Sequence, residues 1–238
     1  MRGPISTWEP RIDHIRAEWR AVTELPTTSM PRFEQVKREA GDLISAGRWT
    51  SGPPDLLSIL GRQRHELTHS RVIGWLLNPT GSHELGRAFL CPLLDAVWPG
   101  EALMRTGAVI VETEVTSAAF DPDGRLRESR ADIVVRGDRL TVVIENKLDA
   151  GEGHDQCERL YWGWAAEPGD TGWLFLTPTG RGPVTATSDE ARAAWRSLSY
   201  EQFRDVLASA LDRAASSPSI GRASAVQYLT TLARAVAP

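Results

Sequence analysis

Two short apolar runs, Ala131–Val135 and Leu140–Glu145, flank Arg136-Gly137-Asp138-Arg139, and this pairing constrains the fold more than any other feature of the chain. Apolar runs of this length around a polar, glycine-containing tetrapeptide predict an antiparallel β-hairpin. With Gly137-Asp138 at its tip, Arg136 faces Arg139 and Asp132 falls opposite Val143. Side chains alternate along a strand, so Asp132, Val143, Glu145 and Lys147 share one face of the sheet. Asp132 and Glu145 are then diagonal cross-strand neighbours, on the order of 7 Å apart at the backbone. The opposite face receives Ile133, Val135, Leu140, Val142 and Ile144, a continuous core stripe. Val134, Thr141 and Val143 accompany the acids, so both faces are covered, as in the central strands of an α/β protein.

The rest of the chain supplies the covering layers. Helical patterning is read near residues 12–22 and 32–46, at 66–77 up to Asn78-Pro79, and at 83–98 up to Pro99-Gly100. It returns at 152–166, where Cys157, Leu160, Tyr161 and Trp164 fall at i, i+3, i+4 and i+7, and again near 200–215 and 223–236. Further strands are predicted at 108–117 and 173–177, with a turn at Asp121-Pro122-Asp123-Gly124 and a break over 49–54. The expected fold is α/β, a mixed central sheet flanked by helices, with extra N-terminal and C-terminal helices. Residues 1–30 are expected to form an arm or peripheral helix. Residues 31–238 are read as one domain, with a helical part to 105, a central core over 106–180 and C-terminal helices from 181.

Composition narrows the classes of function. Across 238 residues no apolar run approaches the roughly 20 needed to cross a bilayer, and the first residues carry too many charges for a signal peptide. The protein is expected to be soluble and cytoplasmic, with no membrane partner. Cys91 and Cys157 have neither disulfide-framework nor zinc-site spacing, and read as reduced, buried thiols. The net charge of −4 leaves room for a local basic groove but gives no general affinity for nucleic acid. Arginine outnumbers lysine 25 to 2, and one of those two lysines is Lys147. In a chain that writes arginine almost everywhere, a lysine after Glu145-Asn146 points to a need for a compact ammonium.

Acids held between covered sheet faces are costly unless their charge is compensated, and a shared divalent ion would do so. Mg²⁺ prefers oxygen ligands, keeps several waters and uses one or two carboxylates. Asp132 and Glu145 would hold it, with the backbone carbonyl of Asn146 as a further ligand. Hydrolysis of a phosphodiester needs an activated water and neutralisation of charge on the phosphoryl oxygens. Lys147 would orient or deprotonate that water, or stabilise the developing charge. The competing reading is a salt-bridge cluster at a sheet edge, in which Asp132 and Glu145 pair with Arg130 or Lys147.

The segments Arg130-Ala-Asp-Ile-Val-Val and Val143-Ile-Glu-Asn-Lys-Leu-Asp-Ala, followed by Gln156 and Tyr161, resemble the PD-(D/E)XK nuclease superfamily. The resemblance is to a branch of bacterial and phage-associated proteins with an IENK motif and a following glutamine and tyrosine helix. Glu66 to Pro79, Gly81-Ser-His-Glu-Leu-Gly, Leu176-Thr-Pro-Thr-Gly and Ser199-Tyr200 extend it over about residues 60–235. It implies a restriction-endonuclease-like core, an active-site triplet of Asp132, Glu145 and Lys147, and Mg²⁺ as cofactor, with Mn²⁺ able to substitute. Ala131 departs from the family's pattern, standing where the nominal motif has proline.

Supporting residues carry two readings each. Glu66 extends the apolar stripe of its helix with His69, Ile73 and Leu77, and is either a further metal ligand or a charge complementing the helix N-terminus. His69 is either part of the site or a satisfied core histidine. Gln156 either hydrogen-bonds a phosphate or positions the carboxylates, or is a plain surface glutamine. Tyr161 is a supporting residue or core, and Glu114 a flanking acid or a solvated one. The expected function is metal-dependent cleavage of nucleic acid, DNA before RNA, in defence or repair, as a homodimer or with a partner subunit. The alternative is an inactive nuclease-fold protein acting as a nucleic-acid-binding or assembly subunit.

Overall fold

The computed structural model describes residues 30–46, 55–101, 103–121, 123–214 and 219–235. The helical stretch expected near 12–22 and the break over 49–54 lie outside them. The chain divides into two compact units, Met1–Gly52 and Pro53–Pro238. In the first, one helix, α1, spans Met30–Ser45. Among the described residues no helix is long and apolar enough to cross a membrane.

The second unit is built on a five-stranded sheet in the order β1-β2-β3-β4-β5. These strands are Ile110–Phe120, Leu126–Arg136, Leu140–Asn146, Asp170–Thr177 and Trp195–Ser199. The first three run antiparallel and the last three parallel, so the sheet is mixed, as expected. Helices α2 (Leu56–Ile59), α3 (Glu66–Leu77), α4 (Arg87–Val97), α5 (Gln156–Trp164), α6 (Asp189–Ala194), α7 (Tyr200–Arg213) and α8 (Ile220–Ala235) cover it.

Both sheet faces are apolar and each has its own core. Ile133, Val135, Val142 and Ile144 pack with Leu174 and Leu176 under α3, α4, α7 and α8. Val134, Val143 and Phe175 pack on the other side with Cys157, Leu160 and Trp164 of α5. Two glycines let helices lie close to the hairpin. A Cβ on Gly74 of α3 would meet Thr113 Cγ2 at 2.8 Å, and one on Gly163 of α5 would meet Ser129 Oγ at 2.5 Å. These two helices bring Glu66 and Gln156 to the hairpin. Both cysteines are free and buried.

Several boundaries differ from the sequence reading for local reasons. Helix α4 begins at Arg87, four residues after His83, because the His83 ring accepts the Leu85 N–H and Gly86, at φ +55°, caps the helix in a conformation suited to glycine. Helix α5 begins at Gln156, not near 152, since Asp155 sits left-handed at φ +48° before it. Strand β5 and helices α2 and α6 were not foreseen. In β5 only Trp195 and Leu198 are large and apolar, too few to make an alternating run, and its pairing with β4 supplies the order.

The hairpin register corrects the expected one. Ile133 pairs with Ile144 and Val134 with Val143, and the Gly137 N–H donates to Leu140 O, so the tip is Asp138-Arg139. Moving the tip by one residue shifts each strand's partner by two and so preserves the faces. Asp132, one step past the last ladder pair, Ile133–Ile144, stands level with Glu145 and not opposite Val143.

Candidate active site

Strand β2 changes its phase at Asp132. Ala131 and Val134, three residues apart, pack into the same core, so strict alternation is lost between them. The ladder to β1 pairs Thr113 with Ile133 and Val115 with Ala131, passing over Glu114 and Asp132. Glu114 is left-handed, at φ +59°, a conformation that costs free energy in a residue with a side chain. The strain sits where the β1–β2 pair turns a carboxylate toward β3.

Asp132 Oδ2 accepts the Asn146 backbone N–H at 2.8 Å, bridging the strands where their ladder ends. Glu145 is fully buried beside it. One of its oxygens, Oε1, accepts from Lys147 Nζ at 2.7 Å and from Gln156 Nε2 at 2.5 Å. Its other oxygen, Oε2, is buried and has no hydrogen-bond partner among the described residues. Gln156 is itself held through Oε1, which accepts the Gly153 N–H at 2.9 Å. A cleft beside this group is lined by Glu66, Asp132, Lys147 and Gln156 together with the ion pairs Arg130–Glu114 and Arg64–Asp149.

The charges are under-compensated. Burial lifts the Asp132 carboxyl to about 6, against the Asn146 N–H and the Lys147 charge. Burial, and next the neighbouring Asp132 charge, lift Glu145 to about 8 despite Lys147. Burial works against the Lys147 ammonium too, but the charge and hydrogen bond of Glu145 outweigh it, so Lys147 titrates above its ordinary range. Two acids thus share one ammonium, and one carboxylate oxygen has nothing to bond. That donor set fits a hard divalent cation, which would bind Asp132 and Glu145 and supply the missing positive charge. Among the described residues no three His, Cys, Asp or Glu side chains form a ready-made metal cage. Two carboxylates, with water or substrate oxygens completing the shell, match the habit of Mg²⁺.

The site gathers Asp132, Glu145, Asn146, Lys147, Gln156 and Glu66 and leaves out His69 and Tyr161. Glu66 Oε1 accepts the N–H groups of Leu148, Asp149 and Ala150 at 2.9, 3.2 and 2.9 Å, which ties the chain beyond β3 to the start of α3. Its Oε2 forms an ion pair with Lys147 Nζ at 3.8 Å. His69 is buried, its Nδ1 with Tyr228 Oη and its Nε2 with Gln63 O, both at 2.9 Å, so it is a satisfied core histidine. Tyr161 packs in the aromatic layer of α5, 4.9 Å from both Trp162 and Trp173. Glu114 does flank the cleft, 3.2 Å from Arg130.

Sequence reasoning missed three parts of the site. Ser70 and Tyr200 bond the Asn146 amide from two helices, and Arg64 pairs with Asp149 at the cleft mouth. Ser70, Asp149 and Tyr200 lie in segments that carry the family resemblance, but no role was read for them, and the Ser199/Gln202 capping box explains Ser199-Tyr200 without any site role.

A sequence model of the PD-(D/E)XK nuclease superfamily matches residues 54–230. No curated protein and no solved structure matches the chain significantly.

Proposed function

The chain belongs to the PD-(D/E)XK nuclease superfamily, and on that premise we propose that it is a Mg²⁺-dependent hydrolase of phosphodiester bonds in DNA. The nuclease-type activity comes with the family, whose members generally use divalent metals. DNA as substrate, Mg²⁺ as the ion with Mn²⁺ as its substitute, and service in defence or repair are the finer reading. One observation carries the cation dependence: a buried Glu145 oxygen with no partner among the described residues, next to Asp132 and within reach of Lys147.

Asp132 and Glu145 would hold the cation, with Glu66 Oε2 and the Asn146 carbonyl as further oxygens. When bound, the cation supplies Lewis acidity, acidifying water and drawing charge from the phosphate. Lys147, kept as an ammonium by its acidic neighbours, is a donor and not a base; it orients the attacking water and offsets charge on the phosphoryl oxygens. Gln156 keeps Glu145 Oε1 in place, which would leave the orphaned oxygen to hold a cation. Arg64 and Arg130, which also line the cleft, would meet backbone phosphates.

The test is to incubate purified protein with plasmid, linear and single-stranded DNA, in Mg²⁺ or in EDTA, beside Asp132→Ala and Lys147→Ala. Metal-dependent cleavage lost in both variants is expected. Binding to DNA with no cleavage under any divalent metal would overturn the reading in favour of an inactive scaffold, and cleavage of RNA alone would overturn the choice of substrate.

A further inference from the structure

We infer that Tyr200 is a positioning residue for the metal centre, acting through Asn146 on Asp132. The inference rests on the proposed nuclease reading for its catalytic consequence, but its geometry stands alone. Tyr200 opens α7, is fully buried, and donates its hydroxyl proton to Asn146 Oδ1 at 2.5 Å. With Oδ1 taken, the amide nitrogen of Asn146 must face the other way. It does: Nδ2 donates to Ser70 Oγ at 3.0 Å and to the Glu66 carbonyl at 3.3 Å. Ser70 Oγ in turn gives its own proton to Glu66 O at 3.0 Å, which frees it to accept from Asn146. The bonds therefore run in one direction, from Tyr200 through Asn146 and Ser70 to Glu66, and leave the amide a single orientation.

Asn146 lies between Glu145 and Lys147, and its side chain is on the face opposite the acids. Its backbone N–H is the group that holds Asp132 Oδ2. Glu66 closes the arrangement from the same helix, since its backbone oxygen receives the Asn146 side chain while its carboxylate holds the N–H groups of Leu148 to Ala150. The chain on both sides of Lys147 is thus anchored to α3, and Tyr200 adds the anchor from α7. Buried deep in an apolar layer with His69 and Phe203, the Tyr200 ring has one polar task, the bond to Asn146. Losing the hydroxyl would leave Asn146 Oδ1 unmet, freeing the amide to turn and the Asn146 peptide to shift away from Asp132.

Tyr228 supplies the control. It is equally buried, and its hydroxyl bonds His69, outside the site. Tyr200→Phe and Tyr228→Phe each remove one buried hydroxyl, so a merely structural role predicts the same outcome for both. Backbone amide hydrogen exchange at Asn146, Mg²⁺ and Mn²⁺ affinity by calorimetry, and kcat and KM on DNA are measured for both variants and for Ser70→Ala. Tyr200→Phe is expected to speed Asn146 exchange by about tenfold or more, weaken cation binding by roughly 10- to 100-fold, and lower kcat with KM little changed. Ser70→Ala is expected to move the same readouts less, and Tyr228→Phe to lower Tm alone. If Asn146 exchange and cation affinity in Tyr200→Phe match wild type, the positioning role is overturned. If the wild-type protein cleaves nothing while exchange at Asn146 still accelerates in Tyr200→Phe, the positioning stands and the nuclease reading falls.

Discussion

Glu145 and Glu152 are seven residues apart in the chain and both have side chains almost closed to solvent, 0% and 1% exposed, but Glu145 lies much deeper and their protons behave in opposite ways. Glu152 is pulled down to about 2. Burial opposes this, but Arg181, the Thr185 hydroxyl and the N–H groups of Val184 and Thr185 all bond its two oxygens and outweigh the desolvation. Glu145 is pushed up to about 8, with Oε2 unbonded. The fold has the means to satisfy a buried glutamate, and uses them on the one that clamps the loop after β4. A carboxylate left short of donors in the same molecule is the mark of a place meant to receive something from outside.

The contrast can be broken by neutralising each acid. Glu145→Gln should cut cleavage by on the order of 10³-fold, since several kcal/mol of cation-mediated stabilisation go with it. In the cation-free protein at pH 8 it should nevertheless raise Tm by roughly 3–6 °C, because it removes an uncompensated buried charge. Calorimetry in EDTA checks the sign. Glu152→Gln should do the reverse, lowering stability by about 2–4 kcal/mol in chemical denaturation through the loss of an acceptor set for the 181–185 loop.

The pH dependence sharpens the same contrast. A carboxyl raised in the folded state favours the protonated form, so the stability tied to Glu145 is full below its ordinary value of 4.5 and is lost as pH rises through about 8. Glu152 runs the other way: its contribution is present above 4.5 and is lost as pH falls toward about 2. The Tm gain of Glu145→Gln should therefore vanish near pH 4, whereas the loss in Glu152→Gln should begin to shrink there and disappear only as pH approaches 2. Added Mg²⁺ should raise wild-type Tm more at pH 8 than at pH 6, because binding displaces protons from the acids, and should not raise that of Asp132→Ala. The smallest effect belongs to Arg181→Ala. It removes a partner that is 43% exposed while the N–H donors to Glu152 remain, so about 0.5–1 kcal/mol is expected.

What could be read in the sequence is what depends on alternation. Asp132, Glu145 and Lys147 were placed together because strand parity survives an error of one residue at the hairpin tip, and the error occurred: Asp138-Arg139 and not Gly137-Asp138 makes the turn. Gln156 followed from its place on the helix after β3, with the IENK resemblance behind it. Ser70 and Tyr200 were not legible as site residues, since they meet Asn146 only after α3 and α7 dock on the sheet, and no periodicity records which docked side chains will touch. His69 was ambiguous for the same reason. Its place on an apolar stripe gave its burial, while its partners, Tyr228 and Gln63, depend on tertiary contact.

The left-handed Glu114 has an effect beyond the cleft. β1 is an outer strand of the sheet and runs for 11 residues, long enough to offer a row of unpaired backbone groups to another chain. A kink in its middle, with the half-exposed Glu112 beside it, breaks that row into two short pieces that a straight partner strand cannot match. The distortion beside Asp132 also makes the rim of the sheet a poorer template for strand addition, and a variant relaxed to a regular extended residue at Glu114 is expected to scatter more light on concentration.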